Sequence, residues 1–390
     1  MIINIIEHFS TLEDARRDHP SKLHKLIDII IIALCAMIAK CETWEEIADY
    51  AVARYQFFKQ FLELPNGIPS HDTINRTFSR INSVLWQQYF ISWMKLQTPE
   101  SLEKIRHIQI DGKVLRGTKS TGTGKRVDQD KEPAVEIVSA WSSEHQLVLG
   151  HVTVEKTSNE IKAVPILLKQ LDLEGALVSL DAMGCQKETT DLIIEGGGDY
   201  LVALKGNQGK LHQAAQDLFQ DVLEDTSGTR EEPEVYSSFD VGHGREEERI
   251  CYVLTDLKQL EFADCKAETW QNLKCLVMVE AKTIRQGKSS FERRYFLSSK
   301  DWNAKQALEG VRGHWSIENQ QHYVLDMVFG EDASRTRKGY AAENLGLIRR
   351  LALNLLNLDV GLNISKRRKR LKALLHDDYL LSLLGLSGKA

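Results

Sequence analysis

At Ile105 the hydrophobic pattern of this chain changes period, and that change constrains the fold more than any other feature. Before it, apolar residues recur at helical spacing; after it, short strand-like runs take over. IRHIQID leads to Asp111, AVEIVSAW and QLVLGHVTVE read as an antiparallel pair, and EIKAVPILLKQLD as a helix. ALVSLDA is a buried strand ending at Asp181, ETTDLIIEGG a helix closed by Gly196 to Gly198, and DYLVALK another strand. Three strands running into strand and helix alternation predict an α/β fold, a mixed sheet with helices on its faces. The stretches EVYSSFDVG, RICYVLTDL, LKCLVMVEAK and FERRYFLSS then predict a β-rich insertion over about 210–300. A final helix, HWSIENQQHYVLDMVF, carries Glu318.

Residues 1–100 read as a helical domain ahead of a core at 101–334 and a basic helical region at 335–390. Leu23 to Ala39 is one helix and the segment from Thr43 a second. In LPNGIPSHDTINRTFSRI, Pro65, Gly67 and Pro69 break the chain, Ser70 is an N-cap, and Ile74, Phe78 and Ile81 make one apolar stripe. Asn75, Arg76, Thr77, Ser79 and Arg80 lie opposite. The segment reads either as a DNA-reading helix or as a member of a packed bundle, its preceding connection being long for a helix-turn-helix.

Of the 390 residues 42% are hydrophobic, enough for two or three domains with a sizeable core. The longest apolar run, Leu26 to Ala39, is shorter than the roughly 18 residues a membrane span needs and contains Asp28, so it reads as a buried helix. The opening MIINIIEHFS has an acid beside its short apolar stretch and no cleavage signal, so secretion is not expected and a cytoplasmic protein is. The six cysteines form no CxxC pair, which argues against structural zinc and a disulfide framework. The net charge of −5 is unevenly spread: between Arg335 and Lys372 eleven Lys or Arg face two acids. The run Lys366, Arg367, Arg368, Lys369, Arg370 is either a phosphate-neutralising block or a solvated helix face.

Asp111, Asp181 and Glu318 carry the chemistry that this order of elements suggests. Two carboxylates on strand ends and a third on a distant helix are what a pair of Mg²⁺ ions needs, because Mg²⁺ takes oxygen ligands from converging elements. Such a pair serves phosphodiester cleavage and joining without a Ser or Cys nucleophile. His322 and Asp326, four and eight residues after Glu318, fall on the same helical face and read as supporting groups or as a solvated face. Lys205, Asn207 and Gln208 follow a strand end near Asp181 and read as DNA contacts or as a turn. The element order, with the first acid on the first strand and the second on the fourth, matches a ribonuclease H-like fold.

Several stretches together resemble the insertion-sequence DDE transposases, specifically the H-repeat-associated group found beside Rhs elements in bacteria. They are GIPSHDT at Gly67, IDGKVLRG at Ile110, VSAW at Val138, SNEIKAVPILL at Ser158, LDAMGCQ at Leu180, DYLVALKGNQ at Asp199, HGREEER at His243 and HWSIENQQHYVLDMVFGEDASR at His314. The resemblance implies a ribonuclease H-like core with Asp111, Asp181 and Glu318 as ligands of two Mg²⁺ ions, Mn²⁺ being able to replace them. It implies nicking at terminal inverted repeats of double-stranded DNA, attack of the freed 3′-hydroxyl on target DNA, and action as a homodimer on DNA with no membrane. Lys113 and Arg116 in the loop after Asp111 are DNA contacts on this reading. Related groups carry Tyr, Arg and Lys where Val311, His314 and Leu325 stand here, so Arg312 or His322 is expected to take over the grip on the flanking strand. The alternatives are a nuclease of the same fold that does not join strands, and a silent DNA-binding remnant.

Overall fold

The computed structural model describes residues 5–14, 16, 22–97, 107–119, 133–155, 157–227, 231–242, 244–261 and 267–386. The chain forms two compact units that cut across the linear division into 1–100, 101–334 and 335–390. One gathers Met1–Glu103, Gly112–Asn159 and Glu318–Ala390; the other gathers Lys104–Asp111 and Glu160–Ile317.

In the first unit the helix Leu26–Ile38 is enclosed, with every residue from Ile29 to Ile38 fully buried. A helix apolar all round is stable only when covered all round. Its one acid, Asp28, accepts the Leu64 N–H at 3.0 Å, and burial raises its pKa. The helix Ala341–Leu358 packs against it and is almost as buried, although it carries Asn344, Arg349, Arg350 and Asn354. Each of these polar side chains has bonding partners. Asn344 Nδ2 donates to the Phe78 and Ile81 carbonyls at 2.7 and 2.9 Å. Asn354 bonds both the N–H and the carbonyl of Val148, at 2.9 and 2.8 Å. Arg350 meets Glu331 at 2.6 Å with neither side chain exposed. Val148 lies on β3 (Leu147–Thr153), which pairs antiparallel with β2 (Val135–Ser142) as the sequence predicts. Among the described residues no helix is long and apolar enough to cross a membrane.

Strand β1 (His107–Leu115) belongs to both units, up to Asp111 in one and from Gly112 in the other. The strand order is β3-β2-β1 on the first side of that boundary. On the second side β1 is followed by β4 (Leu177–Leu180) and β5 (Asp199–Leu204), all parallel. Then come β9 (Lys288–Ser298), β8 (Cys275–Arg285), β7 (Arg245–Leu254) and β6 (Glu234–Gly242), all antiparallel. The helix Lys187–Glu195 connects β4 to β5, the crossover that parallel neighbours require. The helix Ala304–His314 closes the core over Leu177, Leu201, Val277 and Phe296 with its Leu308 and Val311.

Two sequence expectations change here. Asp111 does not open a loop, since β1 continues to Leu115. The β-rich insertion begins with a helix, Gly209–Glu224, whose Phe219 ring lies 5.9 Å from that of Tyr295 on β9.

Candidate active site

Strand register brings two of the three acids together. Ile110 on β1 stands opposite Leu180 on β4, so Asp111, within β1, and Asp181, the residue after β4, lie at the same level and on the same side. Neighbouring strands lie about 4.8 Å apart, so the two acids are neighbours where the parallel β1–β4 pairing ends, at the carboxyl end of β4. Both are half-buried. Local bonds hold the Asp181 loop. The Gly184 N–H donates to Asp181 Oδ1 at 3.1 Å. Asn207 Nδ2 donates to the Ala182 carbonyl at 2.5 Å, and Gln208 Nε2 to the Cys185 carbonyl at 2.9 Å. Asn207 and Gln208 lie on a short turn, Gly206–Gln208, and their side chains tether the segment after Asp181. Lys205 is exposed.

A polar chain that sequence reasoning missed runs beside Asp181. His107 Nε2 lies 2.8 Å from Ser179 Oγ, which lies 3.0 Å from His314 Nδ1. Burial, with a smaller contribution from His314, lowers the His107 pKa to about 3. Burial lowers that of His314 to about 4 against the opposing pull of the Asp181 charge. Both rings are therefore neutral at pH 7, and one hydroxyl proton must serve the pair: Ser179 can donate to only one of them. The other ring must then donate its N–H to the Ser179 oxygen, so that the hydroxyl bridges the two imidazoles. Gly313 seats the chain, for a Cβ there would meet His107 Cε1 and Nδ1 at 2.8 Å.

Glu318 is the first residue of the third segment of the other unit. It is exposed on a π-helical turn, Ile317–His322, that precedes the helix Tyr323–Phe329. The wider turn alters the phase assumed for a Glu318, His322, Asp326 row. Asp326 instead accepts from Lys113 Nζ at 2.6 Å, with Asp332 3.6 Å from the same ammonium. Lys113 is buried, which corrects its expected role as a DNA contact. His322 is buried as well. Val311 and Leu325, standing where related groups carry Tyr and Lys, are core residues, so of those three positions only His314 is polar. Arg312 is half-exposed and bound to Asp240 of β6 at 3.1 Å. Among the described residues no three His, Cys, Asp or Glu side chains stand at metal-binding spacing.

The cations also divide. Ser70 caps the helix His71–Phe78 by accepting the Thr73 N–H, and Ile74 and Phe78 are buried as expected. Thr77 and Ser79, expected on the open side, are buried; Arg76 is exposed, and Arg80 is exposed beyond the helix end. Asn75 lines a cavity of about 490 Å³ together with Arg335, Arg337 and Lys338, the start of the basic region seen in the sequence. Arg116 is 84% exposed. In the run 366–370, Arg367 and Arg368 are exposed, and Lys366 bonds Gln146 at 3.2 Å. Lys369 and Arg370 are buried, which corrects their expected phosphate role. Lys369 donates to the Leu356 carbonyl at 2.9 Å, and Arg370 donates to the Met37 carbonyl at 2.8 Å and to Glu42 at 3.1 Å.

Comparison with known proteins gives the family. Residues 102–355 match the transposase DDE domain, and residues 6–94 match the domain associated with it. The chain is a DDE transposase family member. "Putative transposase YncI" of Escherichia coli O157:H7 is 39% identical, over 98% of this chain and 95% of its own. "H repeat-associated putative transposase YhhI" of Escherichia coli K12 is 37% identical, over 98% of both chains. A shorter K12 relative, 41% identical over 20% of this transposase and 89% of its own length, is named "Inactive transposase YbfQ". Among solved structures a piggyBac transposase synaptic complex with hairpin DNA aligns at TM-score 0.44 and 12% identity, over 99% of this chain and 79% of its own. The family assignment agrees with the ribonuclease H-like fold class read from the element order.

Proposed function

We propose that this transposase cuts double-stranded DNA at the terminal inverted repeats of a mobile element and transfers the freed 3′-hydroxyl to target DNA, acting as a homodimer. The observation that supports the reading is the β1–β4 register, whose last pair, Ile110 with Leu180, directly precedes Asp111 within β1 and Asp181 just after β4. Two half-buried carboxylates, one within a strand and one just after its neighbour, are a hard oxygen donor set, the kind that suits Mg²⁺. Asp111 and Asp181 would hold it, with Mn²⁺ as a substitute, and Glu318 is proposed as the third ligand on the family resemblance, no such trio being grouped among the described residues. When bound, the cation supplies charge stabilisation to the attacking and departing oxygens. The chain's own part is positioning: the Gly184 N–H fixes one Asp181 oxygen, Asn207 and Gln208 fix the loop, and neutral His314 places no competing positive charge beside the carboxylate. Arg76, Arg80, Arg116, Lys205, Arg367 and Arg368, all exposed, are the cations proposed to meet DNA.

Strand cleavage of a labelled duplex carrying the terminal repeat tests the reading. Asp111→Asn and Asp181→Asn should each keep the wild-type melting curve and DNA affinity while lowering Mg²⁺-dependent cleavage about a thousandfold or more, a loss of roughly 4 kcal/mol of transition-state stabilisation. Near wild-type cleavage by either variant removes that residue from the site.

A further inference from the structure

We propose that β6 is a dimerisation edge, pairing antiparallel with β6 of a second copy of the chain about a two-fold axis through Ser238. Strand β6 ends the sheet, and no described residue outside β7 pairs with its backbone. Natural sheet edges are usually blunted by Lys, Pro, a bulge or short length. None of these is present: Glu234–Gly242 has no Lys, Arg or Pro, is nine residues long, and holds an unbroken register with β7.

The strand also exposes large apolar side chains on one face. Val235 is 52%, Phe239 64% and Val241 71% exposed, and the alternation puts all three on the same side. The register extends that face across the sheet. Phe239 lies in a row with Glu248, Lys282 and exposed Phe291, and Val241 in a row with Glu246 and Ile284.

Charge selects the occupant. The edge strand carries Glu234 and Asp240 and no base, and on the face beside it Glu246 and Glu248 outnumber Lys282 while Arg293 is paired with Glu280, so a DNA phosphate backbone is disfavoured. A second copy meets no such obstacle. Centred on Ser238, antiparallel self-pairing sets Val235 opposite the partner's Val241 and Ser237 opposite the partner's Phe239. The acids fall opposite uncharged residues, Asp240 against Tyr236 and Glu234 against Gly242. Asp240 is in any case neutralised by Arg249 at 2.7 Å and Arg312 at 3.1 Å. The pairing is isologous and closes at two copies, as a two-fold interface must.

The proposal deepens the reading of a transposase that acts as a pair and rests on that reading for its purpose. Its test needs no DNA, so its failure and that of the cleavage chemistry are separable. Sedimentation of the full chain should show a dimer, and Phe239→Asp should sediment as a monomer with an unchanged melting curve. Cysteine pairing keeps the test decisive if that variant misfolds. Val235→Cys mixed with Val241→Cys should give a covalent dimer on mild oxidation, because opposed side chains have Cβ atoms about 5 Å apart. Neither variant alone, nor wild type, should do so, since identical positions would lie about 20 Å apart across the axis. A monomeric wild type, no cross-link in the mixture, or equal cross-linking in the single variants overturns the proposal. A fall in DNA affinity for monomeric Phe239→Asp, with wild type also monomeric, would assign the face to DNA instead.

Discussion

His107, Ser179 and His314 show how a few side chains near an acid can matter without touching substrate. Both imidazoles are held neutral in the fold, with pKa values near 3 and 4, whereas an unfolded histidine titrates near 6.5. Below about pH 6.5 the unfolded chain therefore binds more protons than the folded one, so stability is complete above that pH and is lost as the pH falls toward 4 and 3. Chemical denaturation followed across pH 7 to 4 should show this decline, and His107→Gln should flatten it. A variant as pH-sensitive as wild type would show that the ring does not report the chain. Gly313→Ala should cost about 1–3 kcal/mol, because its Cβ would press on the His107 ring against packed neighbours; a neutral effect on the melting curve would mean the ring moves freely. None of this was legible in the sequence. His107 reads as the start of a strand, and its partner lies 72 residues away, the next 135 beyond that partner. Asp181 could be read as a strand end, since β4 stops at Leu180, whereas β1 runs four residues past Asp111.

Among the elements, the run 366–370 was the hardest to read. Five consecutive bases look like a solvated block, yet the helix they begin, Lys366–Leu375, turns two of them inward. Lys369 bonds carbonyls at the end of the helix Ala341–Leu358, and Arg370 bonds carbonyls at the end of Leu26–Ile38 while stacking 4.3 Å from the Phe329 ring. Cations at helix C-termini satisfy the last carbonyls and the helix dipole. Arg370→Ala should therefore lower stability by about 2–4 kcal/mol without changing the salt dependence of DNA binding. Arg367→Ala with Arg368→Ala should do the opposite, leaving the melting curve in place and reducing the slope of log K against log salt by up to about 0.9 per lost contact. Equal salt slopes in both variants would return Arg367 and Arg368 to the solvated face. The π turn at Glu318 was hidden for a related reason. Helical periodicity assumes a constant 3.6 residues per turn, and a single wide turn shifts every residue after it.

At the scale of the molecule, the order of strands and helices was readable, and so was the fully buried helix Leu26–Ile38. The interleaving was not. The two units take alternate segments of the chain, so residues 318–390 share a unit with the N-terminal helices, a pairing that no local pattern announces. Burial of Arg349, Arg350 and Asn344 in the helix Ala341–Leu358 records it, because these side chains bond the Phe329 carbonyl, Glu331 and the carbonyls of Phe78 and Ile81. The central claim is that Asp111 and Asp181, paired by register, ligate the cation that makes this family member a DNA-cutting enzyme. Exchange of the ligand atom tests it most directly. Asp181→Cys replaces a hard oxygen by a soft sulfur that Mn²⁺ accepts far better than Mg²⁺. Cleavage of terminal-repeat DNA by this variant should be abolished in Mg²⁺ and restored at least in part by Mn²⁺, whereas wild type works in either; loss of cleavage equal in both metals, or wild-type cleavage in Mg²⁺, would contradict the claim.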